Sequence, residues 1–244
     1  MKLKCLYIPL LVFIFMFPAA FGAEIISKGQ LVQSKKSDVT CEGDKNRDEI
    51  AIYGVPYDPQ SHYLKEIYLE VKFGGGGSVQ IPLDGGYDPK LKLADLNHDG
   101  CKDVFITINT GGSGAIVLND LYSFKNKKID NLTVPQPVTA VAQFIDGYKA
   151  SIELLNGKKY IVDLIDRKKD YDRLGLYHDG KLSEPTELMI DPYSSLKIVR
   201  MKDRKGFKGI QAVSGAYHAD RIGNIISKWN YENGKWQLVK VKFR

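Results

Sequence analysis

The residues with the clearest chemistry are oxygen donors at alternating positions of one short stretch: Asp95, Asn97, Asp99, Cys101 through its carbonyl, and Asp103. Gly100 lies between them, where a loop that wraps an ion must turn sharply. Calcium takes about six to eight oxygen ligands, and carboxylates at this spacing also supply compensating negative charge. The spacing therefore predicts a calcium-binding loop over residues 95–103.

An Asx-rich turn without an ion is the alternative, because Asp, Asn and Gly are common turn formers. The loop is not an EF-hand, since Ile106 stands where the twelfth-position acid would be. An earlier segment offers further oxygen donors at Asp38, Thr40, Glu42, Asp44, Asn46 and Asp48. That segment has Arg47 and Glu49 where glycine would help, so a second ion there stays open.

Ser214, His218 and Asp220 are the residues that most resemble a catalytic set. Catalytic triads are assembled by geometry from separated segments, and these three lie within one short stretch. The segment 111–115 (Gly-Gly-Ser-Gly-Ala) lacks the last glycine of a nucleophile elbow. We interpret 214–220 as a polar loop and predict no catalytic residue.

Trp229 and Tyr231 alternate on one predicted strand and share a face. They would suit stacking on sugar rings, although packing across strands is the commoner role of such side chains. His98 occupies a position of the calcium loop that carries no ligand, and we expect it to face solvent.

The N-terminal residues have the pattern of an export signal. Lys2 and Lys4 precede an apolar run at 6–17, and small residues follow it. This pattern predicts a signal peptide at 1–22, cut before Ala23 or, as a near alternative, just after it, and no membrane span after its removal. The mature chain is therefore expected to be secreted and extracellular, with attachment to the cell envelope or spore left open.

The 244 residues carry a formal net charge of +6, and the basic residues are scattered. Such charge suits a solvated surface, an anionic cell-envelope polymer or a surface protein as partner, and no nucleic-acid interface is predicted. Cys41 and Cys101 would remain after export. A disulfide between them and two free thiols are both compatible with the sequence.

The rest of the chain predicts an all-β protein of antiparallel hairpins. Alternating β-branched and aromatic stretches occur, for example, at 66–73 and 225–231, while no long stretch has helical periodicity. Asn156-Gly157 and Asn233-Gly234 are the strongest hairpin signals, because a type I′ turn needs positive φ at both central residues. We expect 23–244 to form a single domain.

Two segments, 44–54 and 99–109, resemble each other at an offset of 55 residues between Asp48 and Asp103. Repeats of this size suit the blades of a β-propeller-like domain. The loop at 95–103 resembles those of the FG-GAP and VCBS repeat family, over 93–118 and more weakly over 38–54. This resemblance, which extends to secreted proteins of Bacillus-like bacteria, implies extracellular propellers with structural calcium.

Together these features favour a secreted, calcium-stabilised, non-enzymatic structural or binding protein of the bacterial cell or spore surface. Two alternatives stay open. One is a secreted hydrolase on a propeller-like scaffold, which would use His218. The other is a carbohydrate-binding module, which would use Trp229 and Tyr231.

Overall fold

The computed structural model describes residues 29–43 and 47–244, so the predicted signal peptide lies outside the described residues. Within each sheet, strands that are neighbours in sequence pair antiparallel. The first sheet contains β1 (Gln30–Ser37), β2 (Asp48–Pro56), β3 (Leu64–Lys72) and β4 (Ser78–Leu83). The second contains β5 (Tyr87–Ala94), β6 (Asp103–Asn109), β7 (Val117–Ser123) and β8 (Asp130–Asn131). A 3₁₀ turn at Lys125–Lys127 precedes β8.

The C-terminal half is built in the same way. A three-stranded sheet contains β9 (Ala140–Ile145), β10 (Lys149–Leu154) and β11 (Lys159–Asp163). A 3₁₀ turn (Ile165–Arg167), the short helix α1 (Lys168–Arg173) and a small hairpin of β12 (Tyr177–His178) and β13 (Lys181–Leu182) follow. The last sheet contains β14 (Met189–Met201), β15 (Arg204–Ser214), β16 (Arg221–Glu232) and β17 (Lys235–Phe243).

The prediction of an all-β protein made of hairpins is therefore confirmed. The turn at Asn233-Gly234 has φ values of 52° and 78°, as a type I′ turn requires. The turn at Asn156-Gly157 differs, because only Gly157 has positive φ, at 76°. There the N–H of Leu154 donates to the carbonyl of Lys158 across a longer loop. The glycine supplies a single left-handed residue instead of half of a type I′ pair.

The burial of individual strands follows their position in the sheets. In β4, half-buried and exposed residues alternate, as expected for an edge strand with one face in solvent. In β6, all six residues from Asp103 to Ile108 are buried or half-buried, because both faces of this strand are covered. The ion-binding candidate Asp103 is thus the first residue of a strand that is covered on both sides.

Three hydrophobic cores join the sheets. One core joins the first two sheets through residues such as Ile52 and Ile106. A second joins the second and last sheets, where the rings of Phe105 and Phe207 lie 4.7 Å apart. The third places β9–β11 and α1 against the last sheet.

The expected propeller-like arrangement is not seen in the described residues. In a propeller, successive sheets are neighbours around a ring. Here the second sheet packs on the last one instead of on β9–β11, and none of the three cores closes the ring back to the first sheet. The packing of side chains between distant sheets determines how the sheets are arranged. The regular spacing of hairpins in the sequence does not predict that packing.

Within the part of the chain that the structure describes, no helix is long and apolar enough to cross a membrane.

Candidate metal site

The loop at 95–103 connects β5 to β6. Asp95 directly follows the last residue of β5, and Asp103 begins β6. The pairing of Ala94 with Asp103 closes the loop at its base. Because both ends of the loop are fixed in one sheet, Asp95 and Asp103 are positioned by paired backbone.

Asp103 is fully buried, and its two carboxylate oxygens have different surroundings. Oδ2 accepts hydrogen bonds from the backbone N–H groups of Leu96, at 2.8 Å, and Asn97, at 3.1 Å. Oδ1 is buried without a partner. Burial raises the pKa of the Asp103 carboxyl to about 6; the two N–H donors oppose this rise, and the charges of Asp99 and Asp95 add to it.

Asp95 repeats this pattern. Its Oδ2 accepts the N–H of Gly100 at 3.1 Å, and its Oδ1 is buried without a partner. Among the described residues, Asp95 and Asp103 are the only carboxylates with such an oxygen. A buried polar atom without a partner costs about 1–3 kcal/mol, and more when it is charged. A cation at this loop would remove that cost.

The other predicted ligands lie in the same loop, and several of their atoms are already bonded. The side-chain oxygen of Asn97 accepts the N–H of Asp99 at 3.0 Å, and Asp99 Oδ1 accepts the N–H of Cys101 at 2.8 Å. The ammonium group of Lys125 lies 2.8 Å from the carbonyl oxygen of Asp99 and 3.6 Å from its Oδ2. Lys125 therefore offsets part of the negative charge.

Within residues 29–43 and 47–244, no three His, Cys, Asp or Glu side chains are arranged as a metal site. What the loop offers a hard cation is two carboxylate oxygens without a hydrogen-bond partner, one from Asp95 and one from Asp103. Asn97, Asp99 and the carbonyl of Cys101 would have to complete the set. Such an all-oxygen set suits calcium, which tolerates irregular geometry, better than zinc.

The first loop of the chain has the same hydrogen-bonding plan. Asp48 begins β2, and its Oδ2 accepts the N–H groups of Val39, at 2.8 Å, and Thr40, at 3.1 Å. Asp38 accepts the N–H of Gly43 five residues later, as Asp95 does with Gly100. The predicted internal repeat is therefore present as local geometry.

The two loops differ in one respect that matters for ion binding. Asp48 Oδ1 accepts the N–H of Gly74 at 3.0 Å, so both oxygens of Asp48 have partners. Glu42 pairs with Lys127 at 3.0 Å. Asp44 and Asn46, two further donors considered for a second ion, lie outside the described residues. Protein groups alone therefore donate hydrogen bonds to both carboxylate oxygens of Asp48.

A disulfide between Cys41 and Cys101 joins the two loops, with their Cα atoms 5.8 Å apart. The sequence left this bond open, and the structure contains it. Lys102 adds a second link by donating to the hydroxyl of Ser37, at the end of β1, over 3.0 Å. The two loops therefore have similar hydrogen bonds and also lie next to each other in the fold.

The sequence suggested that His98 faces solvent, but the structure places this side chain differently. It is half-buried, with Nε2 2.8 Å from the carbonyl of Lys205 and Nδ1 3.1 Å from that of Tyr231. Those two residues belong to β15 and β16 of the last sheet. His98 therefore connects the candidate loop to the C-terminal sheet, a contact over more than one hundred residues that no local pattern indicates.

The structure does not arrange Ser214, His218 and Asp220 as a triad. The buried Ser214 hydroxyl donates to the backbone carbonyl of His218 at 3.0 Å. His218 pairs instead with Asp191, with Nδ1 3.1 Å from Oδ1. Asp220 accepts the hydroxyl of Tyr171 at 2.8 Å and also bonds an arginine of the neighbouring 3₁₀ turn.

Trp229 is half-buried and packs against two of the hydrophobic cores. Its indole N–H donates to the hydroxyl of Ser227 at 2.9 Å. Tyr231 packs edge-to-face on Trp236, with ring centroids 5.1 Å apart. These contacts are those of packing residues on neighbouring strands.

Comparison with known proteins gives a limited set of matches. Residues 138–244 match the family model described as the YybI C-terminal domain. The chain is also similar to the uncharacterized protein YybI of Bacillus subtilis (strain 168). The two are 28% identical over 218 residues, covering 84% of this chain and 82% of that protein. No solved structure matches the chain.

These matches show that the resemblance to FG-GAP and VCBS repeats was wrong. The family model that matches is that of the YybI C-terminal domain, and no FG-GAP or VCBS repeat model is found. Oxygen donors at alternating positions can arise in unrelated proteins, because they suit both ion binding and tight turns. A nine-residue motif of this kind therefore does not identify a family. The case for an ion at 95–103 now depends on the loop's own atoms.

Proposed function

We propose that this chain is a non-enzymatic structural or binding protein that works outside the cell membrane and is stabilised by calcium at 95–103. Its place of action would be a bacterial cell or spore surface. The observation that carries the proposal is the pair of buried, unpartnered oxygens of Asp95 and Asp103 in one loop. A divalent cation satisfies both oxygens and compensates their charge.

The position of the loop supports a stabilising role for the ion. Asp103 begins β6, whose side chains enter two hydrophobic cores through Ile106 and Phe105. A cation held at the start of this strand would tie β5, β6 and the loop together. It would act on folding stability by mass action, because the unfolded chain has no assembled site.

Two features support a location outside the membrane. The disulfide between Cys41 and Cys101 suits an oxidising compartment, since such bonds are rare in the reducing cytosol. The sequence pattern of residues 1–22 matches that of an export signal. In a bacterial host, the full chain should be cut before Ala23 and recovered outside the membrane. Recovery of the uncut chain inside the cell would contradict this part of the proposal.

Thermal unfolding in calcium tests the ion-binding part. Sites in extracellular proteins bind calcium with Kd of about 10⁻⁴–10⁻³ M, so about 5 mM ion should stabilise the protein by about 1–2 kcal/mol. The variant Asp95→Asn with Asp103→Asn should lose this gain, because neutral amides lack the negative charge that attracts the ion. An equal concentration of magnesium should have a smaller effect.

The matched control is Asp48→Asn, which makes the same change in the other loop. This control should unfold at a lower temperature but keep the full calcium-dependent gain. An unchanged melting temperature of the wild type in 5 mM calcium would overturn calcium binding, and so would a gain that survives in the double variant.

The two alternative functions have less support. For a hydrolase, His218 and Asp191 form a pair, but the neighbouring Ser214 hydroxyl is buried and bonded to a carbonyl. For a carbohydrate-binding module, Trp229 would need an exposed ring, and it is packed against two cores. In the part of the chain that the structure describes, no specific contact favours either of them over the structural or binding role.

A further inference from the structure

One face of the last sheet carries a row of lysines in direct register. Lys197 on β14 pairs with Lys208 on β15, Lys208 pairs with Lys228 on β16, and Lys228 pairs with Lys240 on β17. Directly paired residues on neighbouring strands point to the same face of a sheet. The row therefore crosses all four strands, and at a strand spacing of about 4.8 Å it spans about 14 Å.

Two further cations extend this row along the edge strand. Lys242 lies two residues after Lys240 on β17 and so shares its face, and Arg244 lies two residues further on. We call these six residues the cationic face: Lys197, Lys208, Lys228, Lys240, Lys242 and Arg244. The opposite face of the same strands is the buried one, as Phe207 and Val241 show.

The cationic face lacks compensating acids. None of its six residues is paired with a carboxylate within the described residues. Repulsion by Arg244 lowers the pKa of the Lys242 ammonium group, with burial and the neighbouring lysines adding to the effect. Elsewhere on the surface, Lys65 and Lys90 have acidic partners at Glu66 and Asp88.

Like charges directly opposite each other on paired strands destabilise a sheet. Uncharged polar residues would form the same exposed face without this cost, so folding does not explain four lysines in one row. The face also forms a pocket of about 300 Å³, which is lined by five of the six cations together with Val199 and Ile226. A bound anion would attract all of these cations and so offset the repulsion between them.

We infer that the cationic face binds a flexible linear polyanion whose phosphate or carboxylate groups recur along its chain. A row of about 14 Å matches several successive anionic groups better than one small anion. Lysine ammonium groups act as point charges on flexible stems and do not impose the planar geometry of an arginine fork. Binding should therefore depend on charge density along the polymer.

The same surface lacks the features of a nucleic-acid site. Proteins that bind single strands combine cations with aromatic rings on which bases stack. The pocket residues include none, since Val199 and Ile226 are its apolar members. A polymer without bases is the better fit. This inference does not depend on calcium, because the cationic face belongs to a different sheet from the loop at 95–103.

Binding of labelled inorganic polyphosphate, measured by fluorescence anisotropy, tests the inference. The assay should contain EDTA, so that chelation of calcium by polyphosphate contributes nothing, and circular dichroism should confirm that the protein is folded. Lys208→Glu with Lys228→Glu should weaken binding about tenfold or more at ~50 mM salt, and Lys208→Gln with Lys228→Gln should weaken it less. Both changes relieve repulsion, so both variants should fold.

The matched control is Lys65→Glu with Lys90→Glu, which changes the net charge equally at lysines that already have acidic partners. It should reduce affinity less than about twofold, because it weakens only the nonspecific attraction that depends on net charge and leaves the cationic face intact. Competition by polyglutamate against polyphosphate identifies whether carboxylate or phosphate is preferred, and preference for either supports the inference. Equal losses in the control and in the cationic-face variants would overturn it. Tighter binding of single-stranded DNA of equal charge would also overturn it.

Discussion

Asp48 and Asp103 hold their loops in the same way, yet one of them lacks a partner that the other has. Each begins a strand and accepts two backbone N–H groups through Oδ2. The second oxygen of Asp48 accepts the N–H of Gly74, whereas that of Asp103 is buried without a partner. In the first loop, protein atoms therefore bond both carboxylate oxygens, whereas in the second loop one oxygen has no partner.

This difference predicts that Asp48→Ala destabilises the protein whether or not calcium is present. Its removal leaves the N–H groups of Val39, Thr40 and Gly74 without their acceptor, at an expected total cost of about 3 kcal/mol. Urea unfolding in EDTA and in calcium should give the same loss. A loss that disappears in calcium would mean that the first loop, too, is completed by an ion.

The disulfide between Cys41 and Cys101 should contribute strongly to stability. It closes a loop over a sequence separation of 60 residues, for which chain entropy predicts about 4 kcal/mol. We expect Cys41→Ser with Cys101→Ser to lower the free energy of unfolding by about this amount. A reducing agent should lower the wild-type melting temperature and leave that of the variant unchanged. Equal responses of the two proteins would contradict the bond.

Asp120 should make stability depend on pH. Burial raises the pKa of its carboxyl, and the nearby charge of Asp84 adds to the rise, while a hydrogen bond from Tyr122 opposes it. The folded state therefore holds the proton more tightly than the unfolded state does. Between the unfolded and the folded pKa, the folded state binds more protons, so this residue's contribution to stability falls as pH rises.

Asp120→Asn removes this titration and should flatten the part of the stability profile that lies above the carboxyl pKa of the unfolded chain, about 4. It should also raise stability at neutral pH, because the half-buried charge near Asp84 is gone. Chemical unfolding across this pH range measures both effects. Asp179→Asn, at a side chain that is 96% exposed, is the control and should leave the profile as it is. A variant less stable than wild type at pH 7 would contradict the argument.

Asp220 should act as a structural centre. Its carboxylate accepts hydrogen bonds from Tyr171, Arg167 and the N–H of Ala216. Burial raises the pKa of the Tyr171 hydroxyl, so that group stays protonated and donates. Removal by Asp220→Ala leaves these donors without an acceptor and should cost about 2–3 kcal/mol.

Asp220→Asn retains an acceptor oxygen and should recover part of this stability. Thermal unfolding of both variants beside the wild type measures the ranking. Equal stability of Asp220→Ala and wild type would show that the cluster contributes nothing. A hydrolytic activity that is abolished in Asp220→Asn without any loss of stability would instead favour the hydrolase alternative.

The all-β class could be predicted from the sequence, because alternation of side chains and positive-φ turn residues act over a few neighbouring positions. The turn at Asn233-Gly234 and the oxygen spacing at 95–103 are readable for that reason. The similarity of the segments around Asp48 and Asp103 was also visible, since both loops use the same local hydrogen bonds.

Which loops and sheets meet could not be predicted in this way, because it depends on contacts between distant parts of the chain. Whether Asp103 keeps a free oxygen depends on a distant donor, as Gly74 shows for Asp48. The same holds for the contact of His98 with Lys205 and for the packing of the second sheet on the last one. The row of lysines could not be predicted either. Its members are spread over more than forty residues, and only the register of the strands brings them together. Contacts between residues far apart in sequence depend on how whole surfaces fit together, and local patterns do not encode that fit.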